Sequence, residues 1–181
     1  MKPLNILAFS GSFRKGSINS GLVRAAVSLA PEGMAITQVD FSDLPLYNQD
    51  MEAQFPTEVA ALKEKIRAAD GIVVATPEYN RSIPGVLKNM FDWTSRPYGD
   101  NAWSGKPVAL MGAGGSVGTA VAQSHLKEIL LYLDARVLGQ PEFYVNGFTP
   151  GIFDKDGNLI DEKTKEYVAR LLATLQKTIA S

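Results

Sequence analysis

Three short stretches gather most of the side chains able to do chemistry. The first is Ser10-Gly11-Ser12-Phe13-Arg14-Lys15-Gly16-Ser17-Ile18-Asn19. It offers the hydroxyls of Ser10, Ser12 and Ser17, the guanidinium of Arg14 and the amide of Asn19. A helix follows it, and free N–H groups at a helix start attract anions. A terminal phosphate monoester wants such a set, because its oxygens need many donors and a charge-assisted fork. The same residues also suit a plain Ser/Gly turn in which Asn19 caps the helix. The stretch is neither the spaced-glycine dinucleotide fingerprint nor a P-loop ending in Gly-Lys-Ser/Thr.

The second stretch is Thr76-Pro77-Glu78-Tyr79-Asn80-Arg81-Ser82-Ile83-Pro84-Gly85. A flat heteroaromatic ring could lie against its proline turn, with backbone groups and Asn80 on the polar ring edge. Alternatively Pro77 and Pro84 stiffen a loop and Tyr79 fills a gap. The third is Gly112-Ala113-Gly114-Gly115-Ser116-Val117-Gly118. So little side chain lets backbone N–H groups approach a ligand closely and stabilise negative charge on it. A flexible connection without a ligand is the other reading.

Composition removes several chemistries. Cysteine is absent and there is one histidine. Disulfides, thiol nucleophiles, thiolate metal sites, covalent cysteine links to a cofactor and His-rich metal sites are therefore excluded. His125 falls mid-helix and is expected to be packed or at the surface rather than a proton donor. No side chain stands out as a catalytic acid or base, and no metal site is expected. The formal net charge of −1 points to neither nucleic acid nor an anionic membrane. The first residues lack a signal-peptide core, and no apolar run approaches bilayer length. A cytoplasmic location is expected.

The elements that must position these stretches alternate. Leu4 to Phe9, Met34 to Val39, Gly71 to Thr76 and Pro107 to Met111 read as buried strands. Arg136 to Leu138, with Glu142 to Val145, supplies a fifth. Helices are expected over Asn19 to Ala30, from Pro56 to about Ala69, and over Ile83 to Ser95, Gly118 to Leu133 and Asp161 to Ile179. Asp40 to Phe55 reads as a long loop and Asp154 to Gly157 as a turn. Near-continuous apolar strands between helices mean a parallel sheet covered on both faces. The length of 181 residues suits a single domain spanning 1–181. In a doubly wound sheet the ligand sits beyond the carboxyl ends of the strands, at the switch point. The three stretches should meet there.

Two of them, Gly-Ser-Phe-Arg-Lys-Gly-Ser-Ile-Asn and Thr-Pro-Glu-Tyr-Asn-Arg-Ser-Ile-Pro-Gly-Val-Leu-Lys-Asn-Met-Phe-Asp-Trp, closely resemble the NADPH-dependent FMN reductase family. Within it the chain is similar to the bacterial quinone and chromate reductase branch. The likeness runs from Leu4 to the last helix. It implies an α/β, flavodoxin-like three-layer α/β/α sandwich with a five-stranded parallel sheet. It implies non-covalent FMN, NADPH or NADH as donor, a small-molecule acceptor (quinone, chromate, azo compound or flavin) and a homodimer or homotetramer. Carried onto this sequence, it implies that Ser12, Arg14, Ser17, Ile18 and Asn19 hold the FMN phosphate. Pro77, Glu78, Tyr79 and Asn80 would line the isoalloxazine, and the backbone of Gly112, Ala113 and Gly114 would approach its pyrimidine edge. The flavin performs the redox chemistry while the protein positions it.

Rival readings of the same outline fare worse. An FMN-carrying shuttle of the flavodoxin type would be strongly acidic, against a charge of −1 and an Arg14/Lys15 pair. A small phosphatase needs a cysteine, and a receiver domain needs acidic residues where this chain has Ser10. Tyr98 and Trp103 are candidates for a substrate wall, for core or for partner contacts. Lys15 and Arg81 are candidates for the NADPH 2′-phosphate or for solvated charge. Val86 and Trp93 on one helix, and Val121, His125 and Tyr132 on the next, form second apolar stripes that suggest a partner surface.

Overall fold

The computed structural model describes residues 2–181. In chain order the elements are β1 (Leu4–Ser10), α1 (Ile18–Ser28), β2 (Met34–Gln38), α2 (Thr57–Ala68), β3 (Gly71–Ala75), α3 (Gly85–Thr94) and β4 (Pro107–Gly114). Then follow α4 (Ala120–Tyr132), β5 (Arg136–Val137), β6 (Tyr144–Asn146) and α5 (Glu162–Ala180). The strands are parallel and ordered β2-β1-β3-β4-β5. This is the flavodoxin order, with its reversal between β1 and β3.

The side-chain period of 2 along each strand divides the core. Leu7, Phe9, Ile72, Val74, Val108 and Leu110 face one layer, with Leu62 and Ile66 of α2, Leu87, Met90 and Phe91 of α3, and Leu126 and Leu130 of α4. Ile6, Ala8, Val73, Ala75, Ala109 and Met111 face the other, with Leu22, Val23 and Ala26 of α1 and Val168, Leu171, Leu172 and Leu175 of α5. The alanines let α1 lie close to the sheet. The approach continues beyond the sheet, where a Cβ on Gly21 of α1 would sit 1.8 Å from the carbonyl oxygen of Gly157.

The fifth position is split, and this refines the expected single strand. β5 pairs with Pro107 and Val108 at the start of β4, and β6 pairs with Gly112 to Gly114 at its end. β4 therefore runs three residues past Met111, through the expected glycine loop. The long segment after β2 contains a 3-10 turn over Gln49–Gln54 and packs on α3. There the Asn89 amide takes the Tyr47 N–H and donates to the Pro45 carbonyl, which also receives the Trp93 indole N–H at 2.8 Å. Trp93 is fully buried between Tyr47 and Phe55, so it forms no partner stripe. Trp103 is fully buried too, beside Phe91 and bonded to Thr94, and is core rather than substrate wall. Tyr98 is exposed, with the Arg96 guanidinium over its ring. Among the described residues no helix is long and apolar enough to cross a membrane.

Candidate functional site

The carboxyl ends of β1, β3 and β4 stand side by side, joined by Gly11 N–H to the Ala75 carbonyl and Thr76 N–H to the Met111 carbonyl. The loops that leave them meet above the reversal of strand order.

The loop after β1 is rich in unspent donors. The N–H groups of Phe13, Arg14, Lys15, Gly16, Ile18 and Asn19 find no acceptor among the described residues. Ser17 is the N-cap of α1, its hydroxyl accepting from Ser20 N–H. Asn19 is thus inside the helix and does not cap it. Arg14 is exposed and its guanidinium folds onto the carbonyls of Lys15 and Gly16, at 3.2 and 3.1 Å. Ser10 and Ser20 share a hydroxyl contact of 2.9 Å, while Ser12 is buried and its hydroxyl makes no bond within the described residues. Unpaired N–H groups in the loop that leads into a helix start, with a guanidinium in the same loop, fit a multiply charged phosphate.

Asn19 has another task than the one its sequence position suggested. It is buried, and its amide donates to the Ala113 carbonyl at 2.9 Å while its oxygen accepts the Ala113 N–H at 3.0 Å. The side chain ties α1 to β4, so only its main-chain N–H remains for an anion.

The second loop is a two-residue reverse turn. Tyr79 and Ser82 exchange backbone bonds of 2.9 and 3.0 Å around Asn80 (φ 51°) and Arg81 (φ 63°). Positive φ at both central positions is the type I′ geometry. Tyr79 and Asn80 are exposed, and Pro77 is buried. Glu78 does not offer its carboxylate to a ligand. Its Oε2 accepts the N–H groups of Val121 and Ala122, each at 3.1 Å, at the start of α4. Arg81 pairs with its other oxygen at 3.4 Å. His125 is exposed, with Nδ1 3.0 Å from the Ser82 hydroxyl.

The end of β4 corrects the expected backbone cradle. Gly112 N–H donates to the Phe143 carbonyl and Ala113 N–H to Asn19. The glycines are needed for packing: a Cβ on Gly112 would lie 2.0 Å from Thr119 Oγ1, and one on Gly114 2.3 Å from the Gly118 carbonyl oxygen. The free N–H groups lie further on, at Ser116 and Val117, which are exposed at the tip of the Gly115–Gly118 turn. The sequence signal for them was weak, because nothing marks where β4 stops.

Two clefts open beside the first loop, and Phe13 lines both. One, of about 610 Å³, is polar and includes Ser10, Ser12, Arg14, Ser20 and Asp40. The Ser42 backbone N–H holds the Asp40 carboxyl below its usual range. The other, of about 420 Å³, includes Leu44, Leu46, Tyr79, Pro84 and Val86. The segment after β2 supplies walls that motif reading missed. A third cleft, of about 480 Å³ between α3 and α4, lies at the far end of those helices from the site.

A flavodoxin-order sheet with an anion-ready loop at its switch point defines the class of flavodoxin-like flavoproteins. Within that class, residues 4–150 match the NADPH-dependent FMN reductase family. A 2-hydroxy-1,4-benzoquinone reductase from Burkholderia sp is 46% identical, covering 91% of this chain and 90% of its own. An NAD(P)H-dependent FMN reductase from Pseudomonas aeruginosa is 46% identical over 96% of this chain and 94% of its own. Among solved structures, FerB, a flavoenzyme NAD(P)H:(acceptor) oxidoreductase from Paracoccus denitrificans, is 36% identical with a TM-score of 0.89, covering 98% and 97%. The chain belongs to the NADPH-dependent FMN reductase family. It is an FMN- and NAD(P)H-dependent oxidoreductase.

Proposed function

We propose that this enzyme passes electrons from NAD(P)H to quinones, with chromate, azo compounds and free flavins as secondary acceptors. The observation that carries the reading is the set of unpaired N–H groups around Arg14 and Ser17 at the switch point. The main-chain N–H groups of Arg14 to Gly16, Ile18 and Asn19, with the hydroxyls of Ser12 and Ser17 and the Arg14 guanidinium, would hold the FMN phosphate. Swinging Arg14 off the Lys15 and Gly16 carbonyls would free its fork for two phosphate oxygens. Pro77, the backbone of Glu78, Tyr79 and Asn80 would line the ring. The tip amides of Ser116 and Val117 would take over the part expected of Gly112, Ala113 and Gly114, because their N–H groups find no acceptor among the described residues.

The residues named above would hold FMN, which supplies hydride uptake from NAD(P)H and two-electron delivery to the acceptor that replaces the oxidised nicotinamide, the protons coming from the reduced flavin and from solvent in the open cleft. The chain supplies placement and electrostatics, and no side-chain acid or base is needed. Tyr79, Pro84, Leu44 and Leu46 give the neighbouring cleft an apolar wall suited to a flat acceptor. Shared use of one open ring face makes the kinetics ping-pong. We read the protein as a single domain that works in the cytoplasm as a homodimer or homotetramer. Exposed Tyr98, Leu131 and Tyr132 on and beside α4 support a partner there.

Titration of the purified apoprotein tests the reading. FMN should bind more tightly than riboflavin or FAD, with flavin absorbance bands that bleach on adding NADPH or NADH. Equal affinity for FMN and riboflavin would remove the phosphate cradle.

A further inference from the structure

We propose that Glu78 is a positioning residue: its carboxylate ties the Tyr79–Ser82 turn to the start of α4 and so sets how Tyr79 and Asn80 meet the flavin ring. The inference rests on the ring placement proposed above.

A helix start leaves orphan N–H groups. On α4 the N-cap is Thr119, whose side chain makes no capping bond. The orphans of Val121 and Ala122 go to Glu78 Oε2, from 43 and 44 residues away in the chain. An anion is favoured at that end of a helix, and charge-assisted bonds are the stronger kind. The Glu78 side chain is 9% exposed. A carboxylate so sheltered needs hydrogen-bond partners, which makes this geometry a well-defined resting place.

The turn that Glu78 leads into needs such a hold. Asn80 and Arg81 both occupy left-handed backbone, which residues other than glycine adopt at a cost. Such a turn persists when its surroundings fix it. There are two fixings, one on each side. Glu78 grips the first turn of α4, and the Ser82 hydroxyl meets His125 one turn further along the same helix. The exposed tip, Tyr79 and Asn80, lies between them. Because α4 also follows directly from the Gly115–Gly118 turn, the same carboxylate couples the two loops that would flank the ring.

A simple helix cap would produce the same contacts, so the test must separate capping from positioning. Glu78→Ala, Glu78→Gln and Glu78→Asp are compared with Tyr79→Ala and Asn80→Ala by titrating each apoprotein with FMN and with riboflavin, alongside thermal midpoints. In Glu78→Ala both flavins should lose affinity by the same factor, roughly tenfold, since the ring contacts move while the phosphate contacts stay. Glu78→Gln should stay within about threefold of the parent, because its amide oxygen still accepts both N–H groups. Should Glu78→Ala fail to fold, the shorter Glu78→Asp should show the same equal loss for both flavins. A lower thermal midpoint with both affinities within about twofold of the parent would reduce Glu78 to a cap. Glu78→Gln as weak as Glu78→Ala would also overturn the tether. If Tyr79→Ala and Asn80→Ala leave riboflavin affinity unchanged, the ring placement itself fails, and that result is distinct from the failure of Glu78.

Discussion

The loop after β1 and the end of β4 are made of similar material, small and glycine-rich, yet they stand in opposite states. Around Arg14 most main-chain N–H groups have nothing to bond within the chain. Along Gly112 and Ala113 the N–H groups are consumed by Phe143 and Asn19. Two polar side chains of the expected site, Asn19 and Glu78, belong to the second state. They hold elements together rather than face a ligand. Residue type therefore shows that a segment is polar and close-packed. Whether its hydrogen bonds are already spent decides between frame and cradle.

Breaking the frame should cost the most. Asn19→Ala would leave the N–H and carbonyl of Ala113 buried and unpaired, at roughly 2–4 kcal/mol in total. Urea unfolding should show the midpoint falling with an unchanged slope. An unaltered midpoint would mean that water or a shifted strand replaces the amide, and that the frame is looser than its geometry implies. Gly112→Ala tests the same region by crowding. Its new methyl would press on Thr119 Oγ1 and on the Thr76 carbonyl oxygen, 2.5 Å away. The expected loss is about 1–3 kcal/mol. A stable Gly112→Ala protein would show that β4 can slide away from α4.

Breaking the cradle should behave differently. Arg14→Ala removes an exposed side chain whose bonds run to carbonyls of its own loop, so stability should change little. FMN affinity should fall by about ten- to a hundredfold, the worth of one charge-assisted contact. Riboflavin, lacking the phosphate, should respond barely at all. Arg14→Lys should recover only part, since an ammonium keeps the charge without the planar fork. Equal losses for the two flavins would place Arg14 with the frame.

The difference between these regions also explains what the sequence could reveal. The central strands were legible because Ile6, Ile72, Val73, Val74 and Val108 form branched apolar runs bounded by turns. The parallel sheet and the site's address at the ends of β1, β3 and β4 followed from that alternation, whereas the flavodoxin-like strand order came only with the family resemblance. β6 was only half visible, because Tyr144, Val145 and Asn146 form a run too short to read alone and are held in place by pairing with β4. The extension of β4 through Gly112 to Gly114 was hidden because glycine is a poor strand former, and here it is required by Thr119 and Gly118. The Asn19–Ala113 and Glu78–α4 ties join residues 94, 43 and 44 positions apart, and no local pattern encodes them. Trp93 looked like part of a surface stripe because helical spacing could not show that Pro45 and Tyr47 fold back over it.

The smallest expected effect sharpens the boundary between the two states, because the Tyr79–Ser82 turn belongs to both. Its tip is exposed like the cradle, and its base is anchored like the frame. Arg81 sits at φ 63°, where a Cβ is unfavourable and glycine is not. Its side chain is 69% exposed and contributes one ion pair with Glu78 at 3.4 Å, which at a surface is worth little. Glu78 keeps its two bonds to α4 without it. Arg81→Gly therefore removes a conformational cost of roughly 1 kcal/mol. Glycine gives part of that back by widening the unfolded ensemble. A net gain of about 0.5 kcal/mol is expected, read as a small rise in the urea midpoint. Flavin affinity should hold if Glu78 and Ser82 alone fix the turn. A gain in stability accompanied by weaker binding of both flavins would show instead that Arg81 stiffens the tip, and that part of the frame extends into the ring-facing turn.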